Sequence, residues 1–396
     1  MPIDFTLSER DKGLLENIRA SALIARKYAR YYDEHEESEL APEQLPEAAG
    51  FKRPFDEKAH PYNPKTDSGM AVMGMLQTMA QMWGDYAVRL KRQKGGLGNA
   101  ALQAAGTPDQ QKKWGGLTLA MAITEPGCGS DPSRVQTSAT LDPKTNEWIL
   151  NGEKIFVTTG VRAEGVVAWA TVDKAAGRAG IKSFLVLKGT PGFTVAKKEK
   201  KLGIRGDDTA AYVFDNCRIP RENLLGGKEE VEKEGSGGFK GVMKTFNMTR
   251  PGVGAIGLGV AEAALDFTRE QLEEAHVDLS YGGSLASQTA IAKKFQDLET
   301  LWEASRLTVL RAAWLAEKGK PNNMEASVAK AHAGAAVRRI CQGCIEILGT
   351  MGVSREHLLE KWLRDCRITD IYEGTGQIQR LIIARTLLDY TREDLK

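Results

Sequence analysis

The sequence predicts an α+β chain in three parts: an N-terminal helical domain over residues 1–116, a central antiparallel β domain over 117–232, and a C-terminal four-helix bundle over 233–396. Two changes of pattern predict the boundaries. Apolar residues recur at helical spacing until about Leu117, then fall in short strand-like runs, then return to helical spacing from Gly238. No helix-length pattern separates the strand-like runs, so they read as antiparallel rather than doubly wound. The length, 396 residues, also exceeds the size at which one core usually stops growing.

From about Leu7 to Ala48, Leu14, Ile18, Leu23, Ile24 and Tyr28 mark a helix face. The acidic block from Asp33 to Glu39 reads as a solvated face or loop. Prolines and charges make Phe51 to Ser68 a connection. Met70 to Leu90 reads as a helix whose methionines (Met70, Met73, Met75, Met79 and Met82) form packing surface. Lys94-Gly95-Gly96 ends it, and Thr107-Pro108-Asp109 opens a short helix. Strands are expected at Leu117–Ile123, Val166–Val172, Ser183–Leu187, Phe193–Val195 and Ala210–Phe214. Trp148–Leu150 and Lys154–Thr158 flank Asn151-Gly152, which reads as a hairpin turn. Helices are expected over Phe239–His276, Gln288–Glu317, Met324–Leu348 and Gln377–Tyr390, with the turn Lys318–Asn323 splitting two of them.

Hydrophobic content of 42% and charged content of 27% fit a soluble globular protein. A net charge of +2 gives no reason to expect nucleic acid or an acidic membrane surface as partner. No run reaches transmembrane length, and MPIDFTLSERDKG has neither an apolar core nor an Arg-rich amphipathic pattern. The expectation is a cytoplasmic protein without stable membrane insertion. The cysteines Cys128, Cys217, Cys341, Cys344 and Cys366 are scattered, which argues against a disulfide framework. Cys341 and Cys344 lie in an Ala-rich helical stretch and read as core thiols; His332 in the same stretch reads as a packing residue. No cluster has metal-ligand spacing, so no metal is expected.

One stretch stands out chemically. Ile371-Tyr372-Glu373-Gly374-Thr375 places a carboxylate on a turn between two apolar-periodic segments, with Thr375 as N-cap of the second. Burial would raise the Glu373 pKa while the helix N-terminus would lower it. Such a group suits a base that is ionised yet takes a proton, although a plain capping carboxylate fits the stretch as well. After the first strand, Thr124-Glu125-Pro126-Gly127-Cys128-Gly129-Ser130-Asp131 would expose successive N–H groups that suit a pyrophosphate. Gly252-Val253-Gly254-Ala255-Ile256-Gly257 spells a dinucleotide fingerprint, but a helix rather than a strand precedes it. Small residues at a helix crossing are the better reading. Arg250 beside it could anchor a polar ligand or form an ion pair, and Lys197–Lys201 reads as a solvated loop.

In order along the chain, TEPGCGSD (Thr124–Asp131), NGEKIFVT (Asn151–Thr158) and IYEGTGQIQR (Ile371–Arg380) resemble the acyl-CoA dehydrogenase family. GTPDQQKKW (Gly106–Trp114), KLGIRGDDT (Lys201–Thr209), FDNCRIPRENLLG (Phe214–Gly226) and RPGVGAIGLGVAEAALD (Arg250–Asp266) agree, so the resemblance covers about 106–396. It implies FAD between the β domain and the bundle, held by Met121, Ile123, Thr124, Gly129, Ser130, Phe156, Val157, Thr158, Thr375 and Gln377. It implies acyl-CoA contacts at Ser130, Asn247, Arg250, Tyr372 and Gly374. Glu373 falls on the usual base, which takes the α-proton of an acyl thioester while the β-hydride passes to the flavin. Some relatives carry the base at the position of Thr249, which cannot serve.

The resemblance further implies a tetramer and an electron-transferring flavoprotein as acceptor. Two departures bear on assembly: Asp278 stands for an arginine, and Glu346 for a glutamine, that usually lie near the flavin diphosphate. They leave a homotetramer and a heterotetramer with a related chain both open. Alternatives within the resemblance are a dehydrogenase of carrier-protein-bound acyl groups and a non-catalytic partner subunit. A flavin monooxygenase would not need Glu373.

Overall fold

The computed structural model describes residues 5–36, 38, 52–92, 95–231, 237–282, 284, 286–390 and 394, with backbone alone over 237–248. The end of the first expected helix toward Ala48, Glu37 and Glu39 of the acidic block, Phe51, Lys94 and the Asn247 side chain lie outside the described residues. The chain forms two compact units. One comprises Met1–Leu90, Leu202–Gly206 and Asn247–Lys396; the other comprises Lys91–Lys201 and Asp207–Phe246.

The first unit is helical. Helix α1 (Glu9–Glu34) starts at a capping box, Ser8 with Asp11. The Met-rich segment forms α2 (Met70–Met82), but a break at Trp83–Asp85 separates it from α3 (Tyr86–Arg92). Gly84 lies in the break, where a Cβ would fall 2.5 Å from the Ala22 carbonyl oxygen, so α1 approaches the bare backbone. In the second unit, α4 (Leu97–Ala105) and α5 (Pro108–Trp114) follow, α5 capped by Thr107 as expected. Helices α6 (Gly237–Glu274), α7 (Ala290–Glu317), α8 (Asn323–Leu348), α9 (Thr350–Val353), α10 (Leu359–Cys366) and α11 (Gly376–Leu387) complete the chain.

Leu258, Ala261, Phe295, Val309, Ala333, Val337, Ile340, Cys341 and Cys344 share one core with Met79 and Met82. The glycine-rich stretch lies inside α6. A Cβ on Gly254 would fall 2.8 Å from Val309, and one on Gly257 would fall 3.1 Å from Val337, so the glycines permit close helix crossing. Helix α6 runs through Pro251 without a break.

Two expectations about polar residues fail in this unit. Asp33 is fully buried, not solvated, because Arg364 and Arg30 bind its carboxylate. Lys361, also fully buried, bonds Asp85 at 2.6 Å and Asp365, so its charge is taken inside as part of an ion cluster. His332 is exposed, with Nδ1 2.9 Å from Ser305 Oγ, rather than packed.

The second unit holds a sheet with strands β1 (Leu119–Ala122), β2 (Ser138–Asp142), β3 (Glu147–Thr158), β4 (Gly165–Thr171), β5 (Ile181–Leu187), β6 (Phe193–Lys198) and β7 (Thr209–Pro220). The order is β1-β4-β2-β3-β7-β6, with β5 on β4. Most pairings are antiparallel, but β1–β4 and the short β2–β4 contact are parallel. The long excursion through β2 and β3 makes a parallel return possible without a crossover helix. Strand β4 is buried along its whole length. Leu150, Ala168, Phe184 and Phe214 pack together, while Leu119, Val167 and Trp169 pack with Leu102 of α4 and Trp114 of α5.

Asn151-Gly152 is not a hairpin. It lies inside the continuous β3, beside a register shift between β3 and β7. Gly152 is needed there: its φ is +148°, and a Cβ would fall 2.5 Å from Thr137 Oγ1. The hairpin comes earlier, where Asp142 pairs Glu147 and Asn146 takes φ +58°.

Candidate active site

In the helical unit, the chain leaves α10 through a short turn at Arg367–Asp370 and reaches Glu373 before α11. Thr375 caps α11 as expected, accepting the Ile378 N–H. Glu373 itself takes φ +54° and Gly374 takes φ +88°. For a glutamate that left-handed conformation costs about 1–3 kcal/mol and persists only where neighbours over-determine it. They do here. Gln379 Nε2 donates to the Glu373 carbonyl at 3.3 Å and to the Gly374 carbonyl at 3.1 Å. Lys330 Nζ, from α8, donates to the same Gly374 carbonyl at 2.6 Å. Gln379 and Lys330 are both fully buried. A Cβ on Gly374 would fall 2.6 Å from Gln379 Nε2.

The Glu373 side chain is half-buried, and its Oε2 is shut off from solvent with no hydrogen-bond partner. Burial raises its pKa above the ordinary carboxylate value; the Thr249 hydroxyl, Lys330 and Arg250 pull the other way without cancelling it. Arg250 is 3% exposed and donates from Nη1 to Asn323 Oδ1 at 3.3 Å and Ser327 Oγ at 3.5 Å. Burial lowers its pKa and the nearby Glu373 raises it. The Tyr372 hydroxyl lies 2.8 Å from that of Tyr86, and burial pushes it well above its ordinary pKa. The Asn247 side chain lies outside the described residues. Thr375 is half-buried and Gln377 exposed.

In the β unit, Thr124–Ser130 folds into a tight loop: Glu125 N–H donates to Cys128 O at 2.8 Å, and Cys128 N–H to Glu125 O at 3.1 Å. Gly129 and Ser130 are exposed; Met121, Ile123 and Thr124 are half-buried. A Cβ on Gly127 would meet nothing within 4 Å. The Ile155 N–H donates to Thr124 O at 2.9 Å, tying the loop to β3. Between Lys154 and Val157, β3 carries one residue more than β7, a bulge that turns Phe156 outward. Phe156 is 63% exposed at φ +56°. Val157, by contrast, is buried in the sheet core, so only its backbone can meet a ligand, and Thr158 is half-buried. An open loop of glycines, an exposed hydroxyl and an outward aromatic face suit a flat, anionic ligand.

Sequence reasoning missed four supporting residues. Lys330 was legible in principle, as a lysine on the buried, Ala-rich face of α8 between Ala326 and Ala333. Gln379, and Thr249 as a hydrogen-bond partner, carry no comparable signal. Lys154, fully buried in β3 and paired with Glu125 of the Thr124–Ser130 loop, reads in the sequence as one more strand lysine. Among the described residues no group of His, Cys, Asp and Glu could hold a metal, and no helix is long and apolar enough to cross a membrane.

Residues 120–217 match the middle domain of acyl-CoA dehydrogenase, and 236–388 match its C-terminal domain. Over 289 residues the chain is 40% identical to the mitochondrial short-chain specific acyl-CoA dehydrogenase of Rattus norvegicus, covering 72% of this chain and 67% of that one. Over 294 residues it is 38% identical to the acryloyl-CoA reductase (NADH) of Anaerotignum propionicum, covering 73% and 72%. The solved butyryl-CoA dehydrogenase of Megasphaera elsdenii superposes with a TM-score of 0.78 at 31% identity, over 98% of this chain and 100% of that one. With its fold and two of its domains matched in this way, the chain belongs to the acyl-CoA dehydrogenase family, oxidoreductases that act on a CH–CH bond.

Proposed function

We propose that the chain catalyses FAD-dependent α,β-dehydrogenation of an acyl-CoA thioester to the trans-2-enoyl-CoA, with short acyl chains as the first class to test. The observation that carries this reading is Glu373: a carboxylate with one buried, unpartnered oxygen, held on a strained turn beside a hydroxyl and two cations. A raised but ionisable carboxyl is matched to taking a weakly acidic proton near neutral pH. Relatives with short-chain and butyryl names support the substrate class.

In the proposed reaction Glu373 removes the thioester α-proton and keeps it on its carboxyl. The Thr249 hydroxyl orients that carboxyl. The Glu373 backbone N–H would hold the thioester oxygen as charge develops, a contribution of about 3–4 kcal/mol for one well-placed donor. Ser130, Asn247, Arg250, Tyr372 and Gly374 would hold the substrate. FAD, when bound, supplies an acceptor for the hydride from the β-carbon. Met121, Ile123, Thr124, Gly129, Ser130, Phe156, Thr158, Thr375, Gln377 and the Val157 backbone would hold it, and the open glycines and outward Phe156 fit such a group.

Electrons would leave to an electron-transferring flavoprotein. The assembly would be a homotetramer or a heterotetramer with a related chain. Each unusual carboxylate has a local partner: Asp278 accepts the Ser280 N–H at 2.9 Å, and Glu346 pairs Lys294 at 2.6 Å. Neither carboxylate therefore decides between the two assemblies.

The test is anaerobic titration of the purified flavoprotein with CoA thioesters of increasing length, and with carrier-protein thioesters. Bleaching of the flavin by short-chain acyl-CoA supports the reading. A yellow protein that no thioester bleaches would be an idle subunit, and bleaching by carrier-protein thioesters alone would change the donor.

A further inference from the structure

We propose that Lys330 is a positioning residue for the base: from α8 it anchors the Gly374 carbonyl and, through its positive charge, keeps the Glu373 carboxyl ionised. This rests on the reading of Glu373 as base. The ammonium is fully buried, and its bond of 2.6 Å goes not to a carboxylate but to the carbonyl next to Glu373. Two consecutive residues, Glu373 and Gly374, have positive φ, and the carbonyl of the second is the point where Lys330 and Gln379 both donate. The lysine therefore clamps the turn while leaving Glu373 Oε2 without a partner.

Among the described residues, charged and polar groups reach the pair from two further elements. From α6, Thr249 and Arg250 act on Glu373; from the turn before α11, Asp370 and Tyr372 lie close. Asp370 has a cation of its own, Arg367, with Nη1 3.7 Å from Oδ2, and a Cβ on Gly376 would meet both Asp370 Oδ1 and Arg380 Nη1. Burial pulls the Lys330 pKa down to about 8, Asp370 and Glu373 raise it, and Arg250 lowers it. The ammonium is thus largely charged at neutral pH, and removing it takes away positive charge that opposes the burial of Glu373.

Two variants of the holoenzyme separate the roles. Lys330→Gln keeps a donor and removes the charge; Lys330→Met removes both. The first readout is an infrared difference titration of the Glu373 carboxyl, with its band assigned by its loss in Glu373→Gln. It needs no turnover. The midpoint is expected to rise by about one unit in both variants. The acid limb of the kcat profile should follow, while FAD content and KM stay within about twofold of wild type. Above that limb, Lys330→Met is expected to lose roughly tenfold in kcat through misplacement of the base, and Lys330→Gln to recover most of it. An unmoved midpoint in folded Lys330→Gln would overturn the inference, and this milder variant decides it even if Lys330→Met does not fold. Retained turnover in Glu373→Gln would instead overturn the base reading, a different result from an unmoved midpoint.

Discussion

Two carboxylates in this chain meet the same kind of neighbour and end in opposite states. In the β unit, Glu125 faces the fully buried Lys154. Its Oε1 accepts from Lys154 at 2.7 Å and from the Thr137 N–H at 3.0 Å, and its Oε2 accepts from the Gln136 N–H at 2.6 Å. Lys154 gives another proton to Ile123 O at 3.1 Å. In the helical unit, the fully buried Lys330 acts on Glu373, yet its proton goes to a backbone carbonyl. Burial acts to raise both carboxylates. Lys154 and the backbone N–H groups outweigh it at Glu125, whose pKa is lowered, and the partners of Glu373 do not. The difference is where the lysine points. A satisfied pair fixes a loop and has no chemistry left; an unsatisfied carboxylate retains its appetite for a proton.

The contrast predicts crossed effects. Glu373→Gln should cut turnover by about 10³–10⁴-fold, as loss of a general base does, with FAD retained and no loss of thermal stability. Steady-state assay with an artificial acceptor and a melting curve read both. Lys154→Met should do the reverse. It leaves a buried charge unpaired and should cost about 3–5 kcal/mol in urea unfolding. A Lys154 variant as stable as wild type would break the comparison at its structural end.

The two groups also respond to pH with opposite signs. The lowered Glu125 contributes stability that is present above the unfolded carboxylate pKa and lost as pH falls through its folded value. The raised Glu373 contributes stability below the unfolded pKa that is lost as pH rises through its folded value. Relative to wild type, Glu373→Gln should therefore gain stability as pH rises from acid to neutral. The acid limb of kcat/KM should sit above the ordinary glutamate pKa of about 4.3. A limb at or below that value would mean that burial does not tune the base. The smallest effect is expected at the edge of the site: Tyr86→Phe removes the hydroxyl partner of Tyr372 and should cost about 1 kcal/mol in unfolding, with little change in kcat.

The fold class was legible because its signals are periodic and local. Helical spacing located α1, α6, α7 and α8, the Thr107 and Thr375 caps matched their side-chain bonds, and the glycines of α6 were correctly placed at a helix crossing. What escaped depended on partners far along the chain. Asn151-Gly152 has the composition of a turn, but Thr137 and β7 hold it in a strand. Asp33 belongs to an acidic run, yet Arg364, 331 positions away, takes it inside. The site behaves likewise. Glu373 could be picked out from its motif, whereas Lys330, Thr249 and the unpartnered Oε2 that distinguish a base from a capping carboxylate appear only once α6 and α8 are packed against the turn.

The most direct test isolates proton removal from hydride transfer. A CoA thioester with α- but no β-hydrogens is incubated with the holoenzyme in deuterated buffer, and its deuterium content is followed by mass spectrometry. The account predicts steady α-deuteration by the wild-type chain and none above background by Glu373→Gln. Exchange by that variant at the wild-type rate would place the base elsewhere and contradict the account.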